Sequence, residues 1–153
     1  MKKLFFLLVM CFAALTMQAQ LKNEYVDLGL PSGTKWKTKN EAGGFYDWES
    51  AKKKFGDNLP TNEQWQELKE YCEWTWTGKG FKVIGDNGNS ITLPAEGYSH
   101  FHRGVFWVGS EGRYWSSTPN GPDYAGRLHI DSTHVNVRAD MRKNGLSVRL
   151  VKK

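Results

Sequence analysis

Two imidazoles, two carboxylates and three guanidiniums fall within RLHIDSTHVNVRADMR, residues 127–142. Side chains of these types can do several kinds of chemistry, so each pattern has to be weighed. A hydrolytic triad can be written from Ser116 or Ser117, His129 or His134, and Asp131. It lacks the nucleophile elbow and the oxyanion-hole signature that such a site needs, so no catalytic residue is expected. His100, His102, His129 and His134 have no Cys or Glu at ligand spacing, so they do not read as a zinc site. They read better as solvated or partner-contacting imidazoles. The carboxylates and amides of Asp86-Asn87-Gly88-Asn89 and of Pro119-Asn120-Gly121-Pro122-Asp123 could suggest calcium. Asn, Asp and Gly in these orders are ordinary turn formers, so no metal and no cofactor are expected. Cys72 is the one cysteine outside the first twenty residues. It has no neighbouring thiol and falls in phase with Trp65 and Leu68, as a small buried hydrophobe would.

The elements that must position these side chains follow from local signals. Asp47 is placed to cap a helix in which Trp48, Ala51 and Phe55 share a face, with Gly56 as its stop. Thr61 begins a second helix, and Gln64 three residues on can close a capping box. EYVDLGLPSGTKW reads as two short strands around a Pro-Ser-Gly turn. CEWTWT, KGFKVIG and NSITLPA read as three more, and RYWSSTP as another, ended by Pro119 to Pro122. Residues 100–112 are glycine-rich and aromatic and read as loop. Strands are then expected at 125–131, 134–138 and 146–151, with Ser132-Thr133 and Asn144-Gly145 as turns. Period two sends Leu128, Ile130, Val135, Val137, Leu146, Val148 and Leu150 inward. Arg127, His129, Asp131, Asn136 and Arg138 then project from the opposite face, with His134 at the hairpin's start. A solvated face that guards an edge against aggregation would meet this description. Its mixture of cation, anion, imidazole and amide is unlike the Lys, Glu and Thr of a merely solvating face.

The first residues, MKKLFFLLVMCFAALTMQAQ, have the layout of a secretory signal: two lysines, an apolar body and a small-residue end. The expected division is a signal over 1–19 and one domain over 20–153. Lys2 and Lys3 supply two of the five net positive charges. No dense Lys/Arg stripe remains, so nucleic acid is not the expected partner. No later apolar run reaches spanning length, so no membrane span is expected. All seven tryptophans lie beyond residue 35. Trp36, Trp65, Trp74, Trp76 and Trp115 read as core. Trp107, in FHRGVFWVGSEGRY, either pins its loop or stacks on a sugar or peptide.

YVDLGLPSGTKW, LPTNEQWQELKEYCEWTWT, NGNSITLPAEGY, YWSST and NGLSVRLV stand in an order that resembles the Fibrobacter succinogenes major paralogous domain family, frequent in exported proteins of Bacteroidetes. That family is similar to the C-type lectin-like fold and to the variable proteins of diversity-generating retroelements. The resemblance implies an α+β domain with two helices flanking a small antiparallel sheet, plus a second sheet and long loops. It implies that a first strand near Tyr25 to Leu28 pairs with a last one at Leu146 to Leu150. Where the family commonly has W-A-T-C-N, this chain has Trp36-Lys37-Thr38-Lys39-Asn40, so a cysteine is missing. In the diversified relatives the C-terminal strands face the ligand. The expected site is therefore Arg127, His129, Asp131, His134, Asn136, Arg138 and Arg142, with Tyr124 and Trp107 at its rim. The expected role is an exported, non-catalytic module binding a glycan or protein at the cell surface. The alternative is a structural or adhesion-associated envelope protein that meets only assembly partners.

Overall fold

The computed structural model describes residues 24–153, so the expected signal over 1–19 lies outside the described residues. The described chain is α+β, with two helices and small antiparallel sheets. Strands β1 (Tyr25–Asp27) and β2 (Lys35–Lys37) precede helix α1 (Trp48–Phe55), a 3-10 turn (Gly56–Asn58) and helix α2 (Asn62–Tyr71). Then come β3 (Glu73–Trp76), β4 (Gly80–Ile84), β5 (Ser90–Pro94), β6 (Tyr98–His100) and β7 (Gly104–Phe106). The long strands β8 (Glu111–Asn120), β9 (Tyr124–Asp131) and β10 (His134–Met141) follow, and β11 (Val151–Lys152) ends the order.

The helix starts obey their local chemistry. Asp47 accepts from the Ser50 N–H at 2.9 Å, and Gly56 ends α1 with a φ of 51°. Thr61 and Gln64 form the full capping box, each side chain accepting the other's backbone N–H at 3.1 and 2.9 Å. Both ends therefore form from neighbours in sequence.

Pairing differs from expectation at three places. β11 pairs with β2, matching Val151 with Trp36, and β2 separates it from β1, so first and last strands are not direct neighbours. Residues 146–150 form no continuous ladder. They are held by isolated bridges from Leu146 to Tyr46 and from Ser147 to Tyr114. The stretch read as loop instead holds β7, which pairs with β6 just before it, and the start of β8 at Glu111.

The sheet β10-β9-β8 is the centre of the structure. Its one face carries Tyr114, Leu128 and Ile130 into a core with Trp36, Trp65, Leu68 and Leu93. Its other face carries Trp115 and Ala125 into a second core with Trp48, Leu59, Leu146 and Val148. Trp65 lies between β2 and β8, with ring centroids 4.5 Å from Trp36 and 5.8 Å from Tyr114. Between Trp115 and Pro119 strand β8 leaves its register with β9. The carbonyls of Trp115 and Ser116 then accept the indole N–H groups of Trp65 and Trp48, at 3.2 and 2.8 Å. These carbonyls satisfy two buried indoles, whereas the Trp36 N–H, equally buried, has no hydrogen-bond partner.

Candidate functional site

The face of β9 and β10 that was expected to meet ligand is partly interior. Arg127 is 6% exposed and His129 8%, because Trp115 and Ala125 on the same face begin a second core. The outward projection expected for these two residues is corrected accordingly. Period two identifies a face, but whether water reaches it depends on what distant segments lay across it.

On that face the charged side chains answer one another. Asp140, itself buried, lies 2.8 Å from both Arg113 Nη1 and Arg127 Nε through one oxygen. Its other oxygen accepts from Asn144 Nδ2 at 2.7 Å and from the Met141 N–H at 2.9 Å. Arg113 also pairs with Glu111, and its guanidinium sits 3.6 Å over the ring of Tyr98. Burial disfavours the Arg113 cation, but Glu111 and Asp140 more than offset it and raise its pKa. Arg127 is less well served. Its Nε–H is not directed at the Asp140 oxygen beside it, and neither Nε nor Nη1 has a hydrogen-bond partner. Burial, with Arg113 nearby, lowers its pKa to about 10.

His129 Nε2 meets Asp131 at 3.0 Å, and Nδ1 is buried without a hydrogen-bond partner, 3.3 Å from Glu111. Burial holds its pKa below the usual histidine value, against the pull of Asp131. Asp131 closes the Ser132-Thr133 turn, accepting the N–H groups of Thr133 and His134 at 2.8 and 2.9 Å. Burial opposes its ionisation, but Thr133, His129 and His134 outweigh that and hold the carboxyl far below the ordinary range. These residues form a structural network, and Asp131 is a turn former within it.

The remaining expected residues separate. His134 and Arg138 are exposed, while Asn136 is half-buried and accepts from Lys69 at 3.3 Å. Arg142 donates to the Tyr124 and Gly121 carbonyls at 3.0 and 2.7 Å, pairs with Glu49 at 3.1 Å and stacks 4.1 Å from the Trp48 ring. It fixes the 121–124 turn, and each of its three guanidinium nitrogens already donates one hydrogen bond. Beside it Tyr124 is exposed and lines a cleft of about 660 Å³ with Phe101, Asp123, Met141 and Lys143.

Trp107 is 60% exposed and stands in an apolar ridge with Phe101, Val105, Phe106 and Val108. Among the described residues it is the one non-glycine with positive φ, at 61°. Its carbonyl accepts the N–H groups of Ser110 and Glu111 at 3.1 and 3.0 Å, which fixes that turn. Nearby, Gly97 (φ 74°) admits the Phe106 carbonyl to 2.1 Å from where a Cβ would stand, so only glycine lets the loop approach. The ridge apart from Trp107 was missed in sequence. Its available signal was the run Val105-Phe106-Trp107-Val108 flanked by glycines at 104 and 109.

Ser116 is buried and accepts the Thr118 N–H at 3.0 Å, and no hydrogen bond joins Ser116 or Ser117 to a histidine among the described residues. Among those residues no three His, Cys, Asp or Glu side chains converge as metal ligands. No described helix is long and apolar enough to cross a membrane.

Residues 72–151, just over half of the chain, match a family described as a domain of unknown function, DUF8237. The chain belongs to the DUF8237 family. No curated protein and no solved structure matches it. The DUF8237 segment runs from β3 to the first residue of β11. It contains the long sheet, the ridge and all nine residues expected at a site, while both helices precede it.

Proposed function

We propose that this DUF8237 protein is an exported, non-catalytic binding module with a C-type-lectin-like fold, recognising a glycan or protein ligand at the cell surface. The observation that carries this reading is Trp107: a bulky residue held in a left-handed backbone conformation while most of its ring faces solvent. That conformation costs an L-residue about 1–2 kcal/mol. Backbone strain of this kind persists where surrounding structure imposes it and concentrates at ligand-contacting positions. Phe101, Val105, Phe106 and Val108 expose further apolar side chains on the same segment, and Tyr124 lines the cleft that Phe101 shares. Contiguous exposed apolar surface marks interaction sites, and aromatic faces stack on sugar rings and peptide groups alike. The α+β architecture of two helices with small antiparallel sheets supports the lectin-like resemblance, while the pairing of β11 with β2 instead of β1 departs from it.

The test is binding of the purified chain to a glycan array and to envelope extracts, with and without chelator. A chelator-insensitive hit should weaken at least tenfold in Trp107→Gly and in Tyr124→Ala. Trp107→Gly should melt within about 3 °C of the parent, because relief of strain offsets the backbone freedom that glycine adds. Unchanged affinity in both variants would remove the ridge and the cleft from recognition.

A further inference from the structure

We infer that Arg127 and Arg138 form a subsite for an oxyanion, a carboxylate or sulfate carried by the ligand, at the β10 edge of the long sheet, where Arg138 is exposed. The inference deepens the binding reading above and rests on it. Arg138 is the direct cross-strand partner of Arg127. Like charges facing each other across a ladder repel, and nothing on the two strands compensates fully.

Among the described residues Asp140 is the one acid within salt-bridge distance of Arg127, and Arg113 shares the same Asp140 oxygen. Arg113 has Glu111 in addition. Arg138 has no salt bridge among those residues. Two guanidiniums therefore share part of one carboxylate. Arg127 is more than nine-tenths buried, and its Nη1 has no acceptor. A buried donor without a partner is a costly state, and a charged one more so.

The other groups on this face do not supply the missing acceptor. Glu111 is engaged by Arg113, Asp131 closes its turn, and Trp115 contributes only an apolar ring. Asn136 and His129 lie in the adjacent cross-strand row. The amide is engaged by Lys69 through its oxygen, which leaves its NH₂ as a further donor beside the two arginines. An oxyanion would accept N–H groups from both guanidiniums and remove their mutual repulsion. Paired arginines suit such anions because planar N–H donors match the oxygen geometry.

The experiment titrates the full chain with sodium sulfate, phosphate and acetate against sodium chloride at constant ionic strength. It follows melting temperature and the arginine side-chain NH resonances. The expected result is a saturable rise of a few degrees with at least one oxyanion, and a selective shift of the Arg127 resonances. Arg138→Gln, at an exposed position, should weaken the apparent affinity about tenfold, whereas Lys82→Gln on β4 should leave it unchanged. The preferred ion then indicates whether carboxylated or sulfated ligands should lead on the array. Sulfate, phosphate and acetate all behaving like chloride, or equal binding by Arg138→Gln and the parent, would overturn the subsite. A Trp107-dependent array hit that persists beside that failure would leave the binding module standing without its anion site.

Discussion

Asp140→Asn separates an interior ion network from a solvated strand face. The carboxylate is 6% exposed and faces two guanidiniums at 2.8 Å, so the substitution removes one charge and leaves two cations beside it. Breaking a buried ion pair from one side costs about 3–5 kcal/mol. The lower end applies here, because Arg113 keeps Glu111 and the asparagine oxygen can still accept from Asn144 or the Met141 N–H. Unfolding entropy of about 2.1 cal/mol/K per residue, over about 130 residues, gives about 0.27 kcal/mol/K. A loss of about 3 kcal/mol then lowers the melting temperature by about 11 °C. Calorimetry at pH 7 reads this directly, with urea unfolding as the check on free energy. Adding Arg127→Met should recover at least about 1 kcal/mol, because it removes the cation left stranded. On an exposed face the single substitution would cost within about 0.5 kcal/mol. A shift under 3 °C, or strict additivity in the double variant, would refute the buried-network account.

Three further outcomes follow from what surrounds His129, Asp131 and Cys72. The folded pKa of His129 lies below its unfolded value near 6.5, so the unfolded chain takes up the proton first. Stability should therefore fall as pH drops below about 6.5 and level off below the folded pKa, and His129→Gln should flatten that fall in urea unfolding; an unchanged profile would count against it. The folded pKa of Asp131 is depressed, so its contribution is present above about pH 4 and is lost only in stronger acid. The Cys72 thiol, pushed up to about 11 by burial with Asp86 and Glu67 adding to it, should react with iodoacetamide at pH 8 at least about a hundredfold more slowly than a free cysteine. Cys72 is half-buried against the core that holds Trp65 and Leu68, and parity with the free thiol would refute that packing.

The legible parts of this fold were those decided by neighbours in sequence. Asp47 and Gly56 bound α1, Thr61 and Gln64 close their box, and Ser132-Thr133 turn the β9–β10 hairpin, because each signal acts within a few residues. The α+β class follows from the same signals. The fate of Arg127 and His129 was not legible, since it depends on segments such as Tyr98 and Leu146 to Val148 covering a face that alternation alone leaves open. A clue existed: Ala125 and Trp115 stand in phase with both residues, and an apolar start to a polar face implies a cover. Arg149 gave no clue. It is buried and donates to Asn40 Oδ1 and to the Lys37 and Thr92 carbonyls at 2.8, 3.0 and 2.7 Å, tying the 146–150 segment down without a ladder. The contortion at Trp107 was equally silent, since no residue type near it requires positive φ except the glycines.

Tyr114 and Trp115 are adjacent on β8, yet one fills each core. Neither core can loosen without moving the strand that holds the other, so the amides of β8 and β9 should exchange with solvent only when the whole domain opens. Residues 101–110 are exposed throughout, so their amides can exchange through small openings, while Ser99 of β6 stays bonded both ways to Gly145 at 2.8 and 2.7 Å. The chain thus has a slow interior clock and a fast peripheral one, and the apolar ridge sits on the fast part.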